Sequence, residues 1–239
     1  MGAPMTEQYP TTDDGREEKA RVNRAMFDRI ARRYDRLNRL ISLGMDARWR
    51  RALVERCALA PGLRALDLCT GTGDVARALA RTGAEVIGLD ASGEMLAAAR
   101  ARADGLTYVR GDALALPFPD GTFDAVTIAF GNRNVASLER LYAEMRRVAK
   151  PGGRVVSLEI NRPPSPLLAG SFFLYFTRVP QLLARLCGAD PAAYAYLAES
   201  VRQYPDPEAV AHIMSGAGLR DITIDRMLFG IAVIHCGMA

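Results

Sequence analysis

The amino-acid sequence predicts an α/β fold with a doubly wound, mostly parallel sheet of seven strands. Short apolar runs alternate along the chain with stretches of helical periodicity, which is the pattern of repeated strand–helix–strand units. The first run ends in a glycine-rich turn and the second ends in an aspartate. The length of 239 residues, with 49% apolar and 24% charged residues, suits one globular domain and excludes a fibrous chain.

The N-terminal segment is predicted to lie outside the sheet. Residues 1–19 are polar and predict a disordered tail, followed by a single domain over 20–239. Residues 20–41 place apolar side chains at helical spacing between arginines, which predicts an amphipathic helix. With a second short helix over 48–57, these residues form a helical cap over 20–60.

Seven apolar runs are the strand candidates. They cover residues 65–68, 84–90, 108–109, 123–130, 154–159, 219–225 and 229–236. Helices are expected between most of these runs, and the last two runs are expected to pair antiparallel. Residues 163–205 break the alternation and predict a helical insertion on the substrate side, before the last strands.

Composition excludes several classes of protein. The four cysteines are far apart and form no C-x-x-C pair, so no metal site and no redox motif is expected. The longest apolar run, near 167–176, is shorter than the roughly 18–20 residues that span a bilayer. The N-terminus has no apolar signal segment, so a cytoplasmic protein is expected.

Basic residues are concentrated near the N-terminus. The net charge is +4, whereas residues 16–56 alone hold 13 basic and 6 acidic residues, a net +7. Such a segment can bind nucleic acid, lie on anionic lipid, or form an ordinary solvated helix face. The chain carries no RNA-binding motif and no interleaved aromatic pattern, so we expect no nucleic-acid partner.

The turn after the first strand predicts a ligand site. Gly71 and Gly73 lack a Cβ and allow a ligand to approach the backbone closely. The third glycine of a dinucleotide fingerprint is replaced by Ala76, and Asp74 places an acid where a pyrophosphate would lie. These two features disfavour, as an alternative, an NAD-dependent oxidoreductase.

Acidic residues follow the next two strands at matching positions. Asp90 ends the second strand, 23 residues after Asp67, where a carboxylate accepts hydrogen bonds from ribose hydroxyls. Asp112 follows the third strand and is a candidate to bind an adenine amino group. Each acid taken singly is also an ordinary strand-end residue, but together with the glycine turn they predict an adenosine-type cofactor.

Four segments together resemble class I S-adenosylmethionine-dependent methyltransferases. They are D-L-C-T-G-T-G-D, G-L-D-A-S, G-D-A-L-A-L-P-F and R-V-A-K-P-G-G-R, spread over residues 64–160. The resemblance implies a Rossmann-like fold and S-adenosyl-L-methionine as the cofactor. With the glycine turn and the strand ends, the candidate cofactor-binding residues are Asp67, Gly71, Thr72, Gly73, Asp90, Ala91, Met95, Asp112, Ala113 and Ala129.

A narrower resemblance covers nearly the whole chain from about residue 20. Segments 27–35, 42–50, 130–135, 196–200 and 230–237 resemble the ubiquinone/menaquinone biosynthesis C-methyltransferase family. That family methylates a ring carbon of a polyprenylated quinol precursor. This sequence departs from the family pattern at Ala129, which replaces a serine, and at Asn132, which replaces an aliphatic residue. It also has E-I-N-R-P at 159–163, where the family commonly has E-F-S-K-P.

The resemblance also implies candidates for the chemistry. Arg133 is expected to favour the phenolate form of a quinol, although a structural ion pair is the alternative. Asn134 is expected to orient Arg133 or the substrate. His235 is a candidate proton acceptor, or else a packed structural histidine. The candidate substrate-side residues are Tyr34, Asn132 and Tyr196.

The implied substrate is a polyprenylated quinol, and demethylmenaquinol is the favoured one. A ubiquinone-pathway benzoquinol and a small natural-product acceptor remain alternatives. The aromatic stretch over 167–186 suits an isoprenoid tail, a membrane interface, or an ordinary core. We therefore expect a cytoplasmic enzyme with peripheral contact at the inner face of the membrane, and a homo-oligomer is one open alternative.

Overall fold

A seven-stranded sheet forms the centre of the protein, in a computed structural model that describes residues 13–31, 34–188 and 190–239. Its strands are β1 (Arg64–Leu68), β2 (Glu85–Asp90), β3 (Thr107–Arg110), β4 (Phe123–Ala129), β5 (Ala149–Ile160), β6 (Arg220–Met227) and β7 (Ala232–Met238). The strand order is β3-β2-β1-β4-β5-β7-β6. Strands β1 to β5 pair in parallel, and β7 runs antiparallel to both β5 and β6. The predicted fold class is confirmed.

Helices cover both faces of the sheet. They are α1 (Asp13–Ile30), α2 (Tyr34–Ile41), α3 (Met45–Arg56), α4 (Asp74–Ala80), α5 (Gly93–Arg100), α6 (Leu138–Val148), α7 (Pro166–Leu186), α8 (Pro191–Gln203) and α9 (Pro207–Gly216). The side chains of Ser92 and Ser137 accept hydrogen bonds from backbone N–H groups in the first turns of α5 and α6. These caps fix where the two helices begin.

Alternation along β1 explains the two layers. Ala65 faces a core cluster that includes α3, α4 and α5, whereas Leu66 and Leu68 face a second cluster with α6 and α9. Successive side chains of a strand point to opposite faces. A strand that is apolar on both faces therefore requires helices on both, as in a doubly wound sheet.

The N-terminal prediction is wrong in two respects. Helix α1 begins at Asp13, so residues 13–19 are not a tail, while residues 1–12 lie outside the described part of the chain. Glu18 and Arg21, one helical turn apart, form an ion pair (2.7 Å) that stabilises the exposed first turns of α1. The single helix predicted over 20–41 is divided into α1 and α2, because the apolar period continues across the break and does not reveal it.

The predicted insertion is confirmed as helical and consists of α7 and α8, which pack together. By length and composition alone, α7 is long and apolar enough to cross a membrane. One face of α7 is nevertheless buried, through Phe172, Phe176, Pro180 and Ala184. These positions repeat every four residues, so α7 is a surface helix with one packed face and one exposed face.

Candidate active site

The turn between β1 and α4 is a close-fitting backbone cradle. Gly71 and Gly73 have φ values of 56° and 84°, in the left-handed region that favours glycine. A Cβ added to Gly73 would lie 2.4 Å from the hydroxyl oxygen of Tyr108. The turn is fastened to the next strand because Thr70 N donates to the Leu89 carbonyl oxygen (3.0 Å).

Asp67 braces this turn from below. Its carboxylate is buried and accepts hydrogen bonds from the hydroxyls of Thr70 (2.6 Å) and Thr127 (2.8 Å). Burial raises the pKa of Asp67 to about 6, and the two hydroxyls oppose that rise only in part. Because Thr70 belongs to the glycine turn, its hydrogen bond to Asp67 holds the turn in shape. Asp67 also lines the cavity above the turn.

An Asp67→Asn variant is expected to change how stability depends on pH. A carboxyl whose pKa is raised by folding stabilises the fold below its unfolded pKa, and this contribution is lost as pH rises through about 6. The free energy of unfolding of the natural protein, relative to the variant, should therefore fall by about 2–3 kcal/mol between about pH 4 and 7. Urea denaturation across this range measures it, and a constant difference would contradict it.

Asp90 joins two loops at the end of β2. One carboxylate oxygen accepts from Gly71 N (2.8 Å) and the other accepts from Ser92 N (2.8 Å). Burial raises the pKa of Asp90, and these backbone hydrogen bonds oppose the rise. Each carboxylate oxygen keeps a further lone pair, so the side chain can also accept from a ligand in the cavity.

One cavity, called here the cofactor cavity, lies above the carboxyl ends of β1, β2 and β4. Nine of the ten predicted cofactor-binding residues line it, and Gly73 shapes the turn without lining it. The nine are Asp67, Gly71, Thr72, Asp90, Ala91, Met95, Asp112, Ala113 and Ala129. A glycine cradle with a carboxylate at the neighbouring strand end fits an adenosine-type cofactor. Asp112, which follows the third strand, lines the same cavity.

Helices α1 and α2 cover this cavity, which the sequence pattern did not reveal. The Thr72 hydroxyl donates to Asp35 (2.7 Å), and the Ser92 hydroxyl donates to Asp28. Asn23 Nδ2 donates to the Asn134 carbonyl oxygen (2.7 Å). The N-terminal helices therefore form one wall of the site through bonds to the cofactor loops.

Asp74 is compensated by three arginines. It forms ion pairs with Arg50 (3.3 Å) and Arg102 (3.1 Å), and also with Arg77 in the next turn of α4. From the sequence alone, Asp74 is expected to repel a phosphate. The three arginines offset its negative charge at the rim of the cavity, so this repulsion is weaker than the sequence indicates.

A second, mostly apolar cavity adjoins the first and is called here the apolar cavity. Its lining includes Met26, Ile30, Ile41, Trp49, Ile160, Phe172, Tyr175, Phe176, Leu197 and Ile231. Arg133, Asn134 and Tyr196, all predicted for the active site, also line it. The two cavities share the wall formed by Phe27, Arg50, Phe130 and Asn134.

Arg133 is held at the apolar cavity by a buried ion pair. Its guanidinium contacts the carboxylate of Glu159, and its backbone N–H donates to the same carboxylate (3.3 Å). Both side chains are at least nine-tenths buried. Arg133 Nε is buried without a hydrogen-bond partner among the described residues. The structural ion pair expected as one alternative for Arg133 is therefore present, and the role of Arg133 toward a quinol stays a prediction.

Asn134 and Tyr196 are linked at the same place. Tyr196 Oη donates to Asn134 Oδ1 (3.4 Å), and Asn134 Nδ2 donates to the Phe130 carbonyl oxygen (3.3 Å). Burial raises the pKa of Tyr196, so its hydroxyl stays protonated at neutral pH. Tyr34, the third predicted substrate-side residue, begins α2, and its side chain is not among the described parts of the chain.

The prediction that Asn132 faces the substrate is wrong. Its side chain is fully buried, and its Nδ2 donates to the hydroxyls of Tyr142 (3.3 Å) and Tyr204 (3.2 Å). Asn132 and Arg133 are neighbours in a single 3-10 turn after β4, and such a turn directs successive side chains to different sides. Arg133 therefore reaches the apolar cavity while Asn132 enters the core.

His235 is also placed away from both cavities. It lies on β7, where the first six residues are buried, and its Nε2 bonds to the Pro207 carbonyl oxygen (2.9 Å). Burial lowers the pKa of His235, so the imidazole is neutral at pH 7. The structure supports the packed structural histidine rather than the proton acceptor.

A His235→Gln variant should separate these two roles. We expect kcat within about twofold of the natural protein, since His235 is not among the described residues that line either cavity. The free energy of unfolding should fall by about 1–3 kcal/mol, because a buried hydrogen bond and its packing are disturbed. Steady-state kinetics and urea denaturation measure the two effects, and a large loss of kcat would restore the catalytic assignment.

Comparison with known proteins agrees with this architecture. A solved S-adenosylmethionine-dependent methyltransferase from Thermotoga maritima, described as a possible histamine N-methyltransferase, superposes with a TM-score of 0.65. It is 21% identical and covers 90% of this chain and 99% of its own, a likeness that establishes the fold alone. The fold is thus that of a Rossmann-like, S-adenosylmethionine-dependent methyltransferase.

The chain belongs to the ubiE/COQ5 methyltransferase family, whose profile matches residues 14–239. A demethylmenaquinone methyltransferase of Thermus thermophilus is 47% identical over 218 residues, covering 89% of this chain and 99% of that protein. The protein of the same name from Roseiflexus castenholzii is 43% identical, covering 93% and 95%. The predicted family is confirmed, and so is S-adenosylmethionine as the cofactor.

Proposed function

We propose that this protein methylates a ring carbon of a polyprenylated demethylmenaquinol and works in the cytoplasm at the inner face of the membrane. The wall shared by the cofactor cavity and the apolar cavity carries this proposal. A methyl donor in the cofactor cavity therefore adjoins an apolar acceptor in the other cavity, beside the residues that line both. The relatives' shared name favours a naphthoquinol over a benzoquinol as the acceptor.

The chain's own residues act on the acceptor. When bound, S-adenosylmethionine supplies an electrophilic methyl group, which leaves orientation and activation of the ring to the protein. A quinol carbon becomes more nucleophilic as the neighbouring hydroxyl loses its proton to solvent, and the proton that the methyl group replaces on the ring carbon leaves to solvent as well. Arg133 lines the apolar cavity and has an unpartnered Nε–H. It favours the phenolate chiefly by hydrogen bonding, because Glu159 offsets much of its charge.

Neighbouring residues position this group. Glu159 holds the guanidinium of Arg133, and its buried position at the end of β5 is fixed by the sheet. Asn134 lines both cavities and is tied to Tyr196, which lies on the substrate side. These contacts hold the polar end of the apolar cavity in one geometry, which is what orientation of a ring against a methyl donor requires.

The apolar lining suits the ring and the first part of a prenyl chain. Aromatic and aliphatic side chains from α1, α3, α7 and α8 surround the cavity. Apolar walls exclude water and favour a lipid-like acceptor over a charged one. They also strengthen the electrostatic effect of the few polar groups present.

A methyl-transfer assay with labelled cofactor tests the proposal. The two acceptors are a short-chain, reduced demethylmenaquinone and a short-chain, reduced ubiquinone precursor. We expect label in the naphthoquinol, with kcat/KM at least about tenfold higher than for the benzoquinol, the discrimination that a shaped apolar pocket supplies. Cofactor binding without transfer to either quinol would reject the quinol assignment and favour a natural-product acceptor.

A further inference from the structure

Large apolar side chains are exposed on the elements that line the apolar cavity. Six exposed side chains form what we call the entrance patch, namely Leu43, Leu167, Leu174, Leu182, Leu228 and Phe229. Leu43 is 81% exposed and also lines the apolar cavity, so the cavity reaches the surface at this residue. Exposed apolar groups clustered at an opening mark an interaction surface rather than scattered exposure.

Contacts place the parts of the patch side by side. Tyr175 of α7 donates to the Ile41 carbonyl oxygen (2.9 Å), two residues before Leu43. The turn at Leu228–Gly230 packs on the segment leading into α7, since a Cβ on Gly230 would lie 2.9 Å from Pro164 Cδ. The outer face of α7 therefore lies between two turns whose apolar side chains face solvent.

Backbone conformation at these turns is also unusual. Leu43, Leu228 and Phe229 have φ values of 52°, 47° and 56°. Glycine and asparagine adopt this left-handed region readily, whereas leucine and phenylalanine do so at a cost. Large apolar side chains held outward in such turns indicate an apolar partner for them.

The charge around the patch identifies that partner. Helix α7 contains Arg178 and Arg185 and no acidic residue, and Arg36 and Arg39 are exposed on the adjoining α2. We propose that the entrance patch docks on an anionic lipid bilayer, so that a lipid-soluble substrate passes from the membrane into the apolar cavity. Leucines inserted among arginines are suited to a lipid interface. This inference rests on the proposed function, because it needs a membrane-dissolved acceptor.

Cosedimentation with vesicles tests the docking. The full chain is mixed with vesicles of phosphatidylcholine alone, or of phosphatidylcholine with phosphatidylglycerol. We expect the natural protein to bind the mixed vesicles. A Leu167→Gln/Phe229→Gln variant should bind them at least about tenfold more weakly, since it lacks two apolar side chains that would insert into the bilayer. Val22→Gln is the matched control, because Val22 is 50% exposed on α1 and outside the patch.

The outcomes separate this inference from the proposed function. All three proteins should methylate a short-chain, water-soluble quinol equally, which also shows that the double variant is folded. Methylation without vesicle binding, or equal vesicle binding by the double variant, would overturn the docking and leave the proposed function intact. Vesicle binding without methylation of any quinol would instead reject the function. A further outcome would also overturn the inference: the natural protein is a dimer, the double variant is a monomer, and both bind vesicles equally. The patch would then be an interface between two copies.

Discussion

An Arg133→Met variant is expected to lower kcat by about 10²- to 10³-fold, the loss found when one charge-stabilising donor is removed from an active site. Arg133 combines a permanent positive charge with a buried, unpartnered Nε–H at the wall of the apolar cavity. Methionine keeps much of the side-chain volume but supplies neither charge nor donor. The affinity for the cofactor should change little, because Arg133 does not line the cofactor cavity. Single-turnover kinetics and calorimetric titration with S-adenosylhomocysteine measure the two quantities.

Stability must be separated from chemistry in this variant. Removing Arg133 leaves Glu159 buried and unpaired, which is expected to cost about 3–5 kcal/mol of the free energy of unfolding. Burial already raises the pKa of Glu159, so the carboxyl will take up a proton in the variant. An Arg133→Met/Glu159→Gln variant should recover most of this stability and none of the activity. If the double variant recovered kcat as well, Arg133 would be a structural residue only.

The residues predicted for the cofactor side converge on one cavity because their positions are set by the sheet topology. In a parallel sheet, the residues that follow neighbouring strands meet at one edge. Asp67 and Asp90 and the glycine turn therefore converge once the strand pattern is recognised. The pairing of Leu68 with Leu89, and the hydrogen bond that Gly71 N–H donates to Asp90, bring these residues together.

The cover of the cofactor cavity depends on contacts that local sequence does not encode. Asn23, Asp28 and Asp35 reach the cofactor loops from helices far away in the chain. Their helical period reveals an apolar face but does not say which surface that face covers. Tertiary packing alone decides that α1 and α2 close the site.

Two wrong residues show where motif reading fails. Asn132 belongs to the same motif as Arg133, yet one step along a 3-10 turn moves its side chain from the cavity into the core. His235 lies on a strand that is covered on both faces, so a polar residue there is satisfied by the Pro207 carbonyl. A motif therefore identifies a segment of the site, and backbone direction decides which of its residues function.

An Asp90→Ala variant is expected to weaken binding of S-adenosylhomocysteine by about 100-fold or more, since each hydrogen bond to a charged group contributes about 1.5–3 kcal/mol. Asp90 is half-buried, and it also holds Gly71 and Ser92 in place by accepting from their N–H groups. The variant therefore loses both a ligand acceptor and the brace of the glycine turn. Asp112→Ala is the matched control, because Asp112 also lines the cofactor cavity but is exposed. Its effect should stay below about tenfold, as solvent competes for its hydrogen bonds.

The pH dependence of binding gives an independent test of the same carboxylate. Burial raises the pKa of Asp90 above the ordinary aspartate value, and the protonated carboxyl accepts fewer hydrogen bonds. Affinity for S-adenosylhomocysteine should therefore fall with decreasing pH, beginning above the range in which exposed aspartates titrate. In Asp90→Ala this component should disappear, whereas Asp112→Ala should retain it. If all three proteins showed the same pH profile, the carboxylate that binds the cofactor would not be Asp90, and the ribose-binding role assigned from its place at the end of β2 would have to be abandoned.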